Sequence, residues 1–263
     1  MHGHRSRHLI VGVILTILFT GSLSVQAGAF RDEDSSQGFL STGTASNRPT
    51  RPYAGGLPYL SFGIEYQDQT RAIVPSGNQG PLPDLSIQRL TGLIGLDLVP
   101  WLTVEVGAGM TDLALKGEDD SRDKDWEWRV GGRARLLDYR IPADDPFYFG
   151  IEGEAFYRAS QSDNWDSELE WNEFYSALLF SLSNHPLIHF GDDVRVVSLY
   201  GGPALSLIDG TWSDDSGSVD FHEDQNMGAV LGVSFMPDEF MTINLEAQFF
   251  DDVSFGAGLS VHF

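Results

Sequence analysis

From Met241 to Phe249 every second residue is apolar, and after Asp251 and Asp252 the alternation resumes from Val253 to Phe263. A period of two sends successive side chains to opposite faces of a strand, so each run has one apolar and one polar face. The apolar face must meet either a protein core or lipid, and its opposite face decides which. In the last run that opposite face is Ser254, Gly256, Gly258, Ser260 and His262. These are side chains for a crowded interior, not the long charged ones of a solvated surface. Gly228 and Gly232 alternate in the same way with Ala229, Leu231, Val233 and Phe235, as do Gly107 and Gly109 with Val106, Ala108 and Met110. The expectation is an apolar face turned to lipid, not the inward apolar face of a soluble, lipocalin-like barrel.

The amino terminus reads as a secretory signal over residues 1–27. Arg5 and Arg7 supply the basic region, LIVGVILTILF the apolar region, and Val25-Gln26-Ala27 the small-residue cleavage site. With no cysteine in the chain there is no lipidation site and no reliance on disulfides. After the signal no run of about 18 apolar residues occurs, so a membrane-embedded mature chain must be a closed barrel. Removing the signal takes two arginines and no acids, leaving 14 basic against 38 acidic residues, a net charge of −24. Such a chain is a poor nucleic-acid binder, because phosphate contacts need Lys and Arg.

Residues 28–56, rich in Ser, Thr, Gly and Pro, read as a flexible periplasmic leader. Ten alternating runs follow within 57–263, at about 57–67, 85–99, 101–115, 125–139, 146–159, 169–182, 194–209, 224–236, 239–250 and 252–263. The connection at 183–193 has room for a single helical turn. Most of the longer, acidic connections fall at one end and most of the short ones at the other, the arrangement of long external loops and short periplasmic turns. An 11-residue run such as 253–263 spans roughly 36 Å at about 3.3 Å per residue. A tilt of about 40° lowers that to roughly 27 Å, close to the ~25 Å apolar band. Two aromatic levels accompany it: Trp126, Trp128, Tyr157, Trp171, Phe249 and Phe255 toward the loop end, and Trp101, Tyr139, Phe147, Phe235, Phe240 and Phe263 toward the turn end. The fold class expected is an all-β, antiparallel, up-and-down transmembrane β-barrel of about ten strands.

With its signal, dyad strands and terminal GLSVHF, the chain resembles the small bacterial outer-membrane β-barrel proteins, OmpA-like or omptin-like in architecture. The resemblance implies that Leu259, Val261 and Phe263 form the terminal signal read by the barrel assembly machinery. It also implies that the partners are outer-membrane lipid and lipopolysaccharide. It says little of function, because such barrels host adhesins, pores, enzymes and anchors. Pro203 in YGGPALSL, which lacks a ladder donor, marks a bulge or local irregularity.

Chemistry is sparse. The mature chain has four histidines, His185, His189, His222 and His262. Only His222 falls in an external loop, beside Asp220, Glu223 and Asp224, where a His–Asp pair would serve an omptin-like hydrolase; no supporting carboxylate pair is identifiable across the rim. Ser260 and His262 share a face at the periplasmic rim, the wrong place for outer-leaflet lipid chemistry. The acidic stretches KGEDDSRDKD and DGTWSDDSGSVDFHED lack EF-hand spacing and read as solvated loops, able at most to share divalent cations with lipopolysaccharide phosphates. No catalytic residue, resident metal or cofactor is expected. The role expected is structural or that of a narrow passive pore, with an outer-membrane enzyme or a surface adhesin or ligand binder as alternatives.

The lumen is expected to carry an ionic ladder. With Trp128, Val130, Ala134 and Leu136 toward lipid, Glu127, Arg129, Arg133 and Arg135 turn inward; on the next strand Glu152, Glu154 and Arg158 do the same. A turn centred near 142–143 sets Arg133 opposite Glu152 and Glu127 opposite Arg158.

Overall fold

The computed structural model describes residues 60–76, 83–99, 101–115, 125–141, 147–163, 167–184, 188–190, 193–214, 217–237 and 240–263. The expected signal, the leader and the connection at 116–124 lie outside them. Ten long strands form the wall: β1 (Leu60–Arg71), β3 (Leu85–Val99), β4 (Leu102–Leu115), β5 (Asp125–Ile141), β6 (Phe147–Asp163), β7 (Ser167–Asn184), β9 (Asp193–Asp214), β11 (Met227–Met236), β12 (Met241–Phe249) and β13 (Val253–His262). Every pairing is antiparallel. β9 joins β11, and β13 returns to β1 through eight residue pairs, so the sheet closes on itself. Closure removes the unpaired edges that an open sheet would expose.

Three short strands complete the sheet: β2 (Ile73–Pro75), β8 (Ile188–Phe190) and β10 (Gly217–Glu223). β8 pairs with residues 193–195, so the connection expected to hold a helical turn contains a small β-ladder instead. Residues 217–223, expected in an external loop, form β10, which pairs with the outer end of β9 and with β2. Gly217, where this hairpin turns, has φ near 150°, a region that L side chains rarely adopt.

The wall therefore has two storeys. Strands β11, β12 and β13 have only nine or ten residues, and above them β10 spans from β9 to β2. Backbone bonds from Ser76 N–H to the Asp220 carbonyl (2.7 Å) and from Asp224 N–H to the Ala72 carbonyl (3.0 Å) seal that junction. In the lower storey the outward face is apolar. Ile64, Leu90, Ile94, Val106, Leu199, Leu231 and Leu245 are all exposed there. Trp126, Trp128 and Phe255 stand outward at one level, and Trp101, Tyr139, Phe240 and Phe263 at the other, the two girdles of a membrane barrel. Above Tyr66 the outward residues turn polar: Asp68, Gln88, Glu170 and Asp209, with Gln88 donating to Asp68 at 3.4 Å.

In this upper storey the interior is apolar. Ile73, Leu85, Ile87, Leu113, Leu169, Trp171, Ile208 and Phe221 pack together almost fully buried, with Trp212 against them. Burying each such side chain is worth roughly 1.5–3 kcal/mol. Trp171, expected in the outer girdle, is 0% exposed and sits in this cap. The strand is longer than expected, so residue 171 lies above the lipid, where the inward face is the apolar one. Below the membrane surface the barrel is apolar outside and lined inside by ionic groups beside a second apolar cluster that includes Phe156, Tyr175, Leu179 and Val230; above it the pattern inverts to that of a water-soluble barrel.

Local irregularities are few. The β7–β9 ladder is interrupted between Ala177↔Ala204 and Phe180↔Gly201, with the same register on both sides. Pro203, without an N–H, lies in the interrupted stretch. Bulges occur at Asp97/Val99 and at Arg135/Leu137. Gly232 lets the Tyr200 ring lie against the wall, occupying the space where a Cβ would stand.

Candidate functional site in the lumen

Because inward positions alternate with lipid-facing ones, each strand delivers every second side chain to the lumen. Among the described residues five arginines (71, 89, 129, 133 and 158) meet eight glutamates (65, 105, 127, 152, 154, 173, 223 and 246). Most are linked in one network. Arg129 donates to Glu65 (2.9 Å) and Glu105 (3.2 Å). Arg133 donates to Glu105 at 2.9 Å and lies 3.4 Å from Glu154. Arg158 reaches Gln67 (2.8 Å), Glu65 (3.2 Å) and Glu173 (3.5 Å). Arg89 donates to Glu173 (3.0 Å) and Gln69 (2.6 Å) and stands 3.6 Å from Glu127. Arg71, just under the apolar cap, lies 3.6 Å from Glu223 and 3.9 Å from the centre of the Phe250 ring. The guanidinium groups of Arg129 and Arg158 both stand 4.4 Å from the Phe156 ring centre, where the ring's negative face favours a cation.

Of the residues expected in a ladder, Glu127, Arg129, Arg133, Glu152, Glu154 and Arg158 are buried in the lumen. Arg135 is half-buried and pairs instead with Asp138 at 3.0 Å. The pairs differ from those expected: Arg133 lies opposite Glu154, and Arg135 opposite Glu152. Glu127 faces Ser160, and Arg158 faces Arg129. The physical reason is a turn centred near residue 144 combined with the bulge at Leu136, which together slide the register by two residues and so keep every side chain on its face. The sequence reading missed Glu105, which binds Arg129 and Arg133 of the adjacent β5, and Glu65, Arg89 and Glu173, which bind the network across strands that are not neighbours. Their inward phase was legible, but the distance across the lumen was not.

The histidine candidates do not assemble a hydrolytic site among the described residues. His222 is exposed on β10, with Nδ1 3.5 Å from the Ser76 hydroxyl. Asp220 is engaged by the Thr211 hydroxyl at 2.7 Å, and Glu223, one residue from His222, points to the opposite face of the sheet. His262 is buried at the inner end of the lumen, its Nε2 3.1 Å from the Thr242 hydroxyl and 3.3 Å from that of Ser260. Of the expected terminal signal, Leu259 and Phe263 face outward and Val261 is half-buried; Phe263 meets the Phe62 ring edge-on at 5.9 Å. No described group of His, Asp or Glu is close enough to chelate a metal ion.

An ionic interior inside an apolar belt defines a transmembrane β-barrel of the outer-membrane type. No family model and no curated protein matches the chain. Solved structures similar to it are outer-membrane proteins. The attachment invasion locus protein Ail of Yersinia pestis is 12% identical, with 79% of this chain and 99% of that one covered and a TM-score of 0.34. An outer membrane channel from Pseudomonas putida is 10% identical over 82% of this chain and 99% of that one, TM-score 0.33. The transport unit of the autotransporter AIDA-I from Escherichia coli is 9% identical over 80% and 90%, TM-score 0.30.

Proposed function

We propose that this protein is a structural, non-enzymatic barrel of the bacterial outer membrane, closed to solutes at rest, that holds a folded β-storey above the lipid surface. The observation that carries this reading is the doubly filled lumen: a cross-linked layer of arginines and glutamates beneath an apolar cap. Ten-stranded barrels are narrow enough for side chains to fill them, and here ionic and apolar side chains fill the lumen from Arg133 up to Trp212 around one small cavity. A passive pore would require both layers to part. Its surroundings would be outer-membrane lipid and lipopolysaccharide, reached through the barrel assembly machinery. The refolded protein in a planar bilayer should leave conductance at the level of the bare bilayer, with no discrete channel steps at moderate voltage. Stepwise, ohmic currents from the wild-type chain would overturn the closed reading.

A further inference from the structure

Among the described residues the lumen holds more glutamates than arginines, and this excess is not evenly shared. Glu246 accepts hydrogen bonds from the Tyr200 hydroxyl (3.1 Å) and the Gln248 amide (2.9 Å), and no described guanidinium lies within ion-pair distance of it. It borders a cavity of about 50 Å³ that also meets Glu65, Arg129, Glu154, Tyr175 and Asn244, with the Arg129 guanidinium engaged by Glu65 and Glu105. Two polar atoms on that lining have no hydrogen-bond partner: the Asn244 amide oxygen, on a side chain 4% exposed, and the Tyr175 hydroxyl, on one 1% exposed. The space exists because the facing wall is Gly256 and Gly258; a Cβ on either would meet Gln67 or Asn244 at ordinary contact distance and fill part of the cavity.

A buried carboxylate without a counter-charge is costly, and an unpaired buried acceptor adds to that cost. A volume near 50 Å³ holds roughly three to five water-sized occupants at about 10–15 Å³ each. We infer that this cavity binds a small, partly hydrated monovalent cation, held by Glu246 and the Asn244 carbonyl oxygen, with the Tyr175 hydroxyl ordering its water. A divalent ion is disfavoured by the same geometry: calcium needs about six to eight oxygen ligands, and no described cluster of carboxylates is close enough to chelate one. The inference does not depend on whether the barrel conducts, since a closed lumen can hold its ion in place.

The test uses the full mature chain refolded in detergent. Crystals grown in thallium(I) should show an anomalous peak between Glu246 and Asn244. In solution, potassium should raise the unfolding midpoint over N-methylglucamine at equal ionic strength by on the order of 3 °C, because the larger cation does not fit. Glu246→Gln should abolish both the peak and the potassium effect. It should also unfold in N-methylglucamine no earlier than the wild type, since the uncompensated charge is gone. Asn244→Ala, which leaves the charge in place, should weaken thallium binding by about tenfold. An empty cavity in thallium together with identical midpoints in the two cations would overturn the site and leave Glu246 neutralised by a proton.

Discussion

Arg129 illustrates how the lumen is stabilised residue by residue. It contacts two glutamates and one aromatic face, and each glutamate has a second arginine. Arg129→Met leaves Glu65 and Glu105 each short of a partner in a low-dielectric interior and should cost about 3 kcal/mol, at the lower end of the range for breaking a buried pair. Adding Glu105→Gln restores the charge balance: Glu65 retains Arg158 and Arg133 retains Glu154. The double variant should therefore be more stable than Arg129→Met alone in urea unfolding from lipid vesicles. Equal or additive losses would show that the charges do not act as one network.

Among the elements, β10 is the informative one. Only three residue pairs tie it to β2, so its hold depends on Phe221 reaching into the apolar cap. Phe221→Ala should cost about 3–5 kcal/mol of local stability, read as faster hydrogen exchange in residues 217–223 with little change in β5 or β6. Next to it, beyond the lipid boundary, burial pushes the Glu223 carboxyl up to about 7, against the pull of Arg71. A proton bound more tightly in the folded state stabilises it fully below the ordinary value of 4.5, and that contribution is lost as pH rises through about 7. After correction for intrinsic rates, the β10 amides should be better protected at pH 5 than at pH 8, and Glu223→Gln should remove the difference. This element was hidden in the sequence for a physical reason. Each strand was given a single facing throughout, whereas in β7 Leu169 and Trp171 share the inward face with Glu173. The apolar-to-ionic change along one face was written there, as in Leu85 and Ile87 followed by Arg89. The strands themselves were legible because lipid imposes strict alternation: β3 spans 85–99 in both readings. Register was not legible, because one bulged residue at Leu136 alters it without altering the pattern.

At the scale of the whole molecule, the first and last described strands meet. The Phe263 amide donates to the Leu60 carbonyl at 3.0 Å, and the Phe263 ring is 70% exposed toward the lipid side. One aromatic contact and one hydrogen bond are a small part of a ten-stranded wall. Deleting Phe263 should therefore lower the amount assembled in cells several-fold while leaving refolding into detergent nearly unchanged, by heat-modified mobility in gels. Normal cellular levels of the shortened chain would remove Phe263 from the recognition signal.

The first strand is claimed twice from the far end of the chain, by β13 in the lower storey and, through β2, by β10 in the upper. Both claims join residues more than 140 positions apart in sequence. Loop closure on that scale is entropically slow, and neighbouring hairpins will have formed long before it. Sealing of the cylinder is thus expected to come last in folding. It couples the two storeys, because the ribbon from Leu60 to Pro75 can settle against both partners only when the final hairpin has arrived. A chain stalled before that point would be a curved sheet with two raw edges, open to lipid on one side and to another unfinished copy on the other.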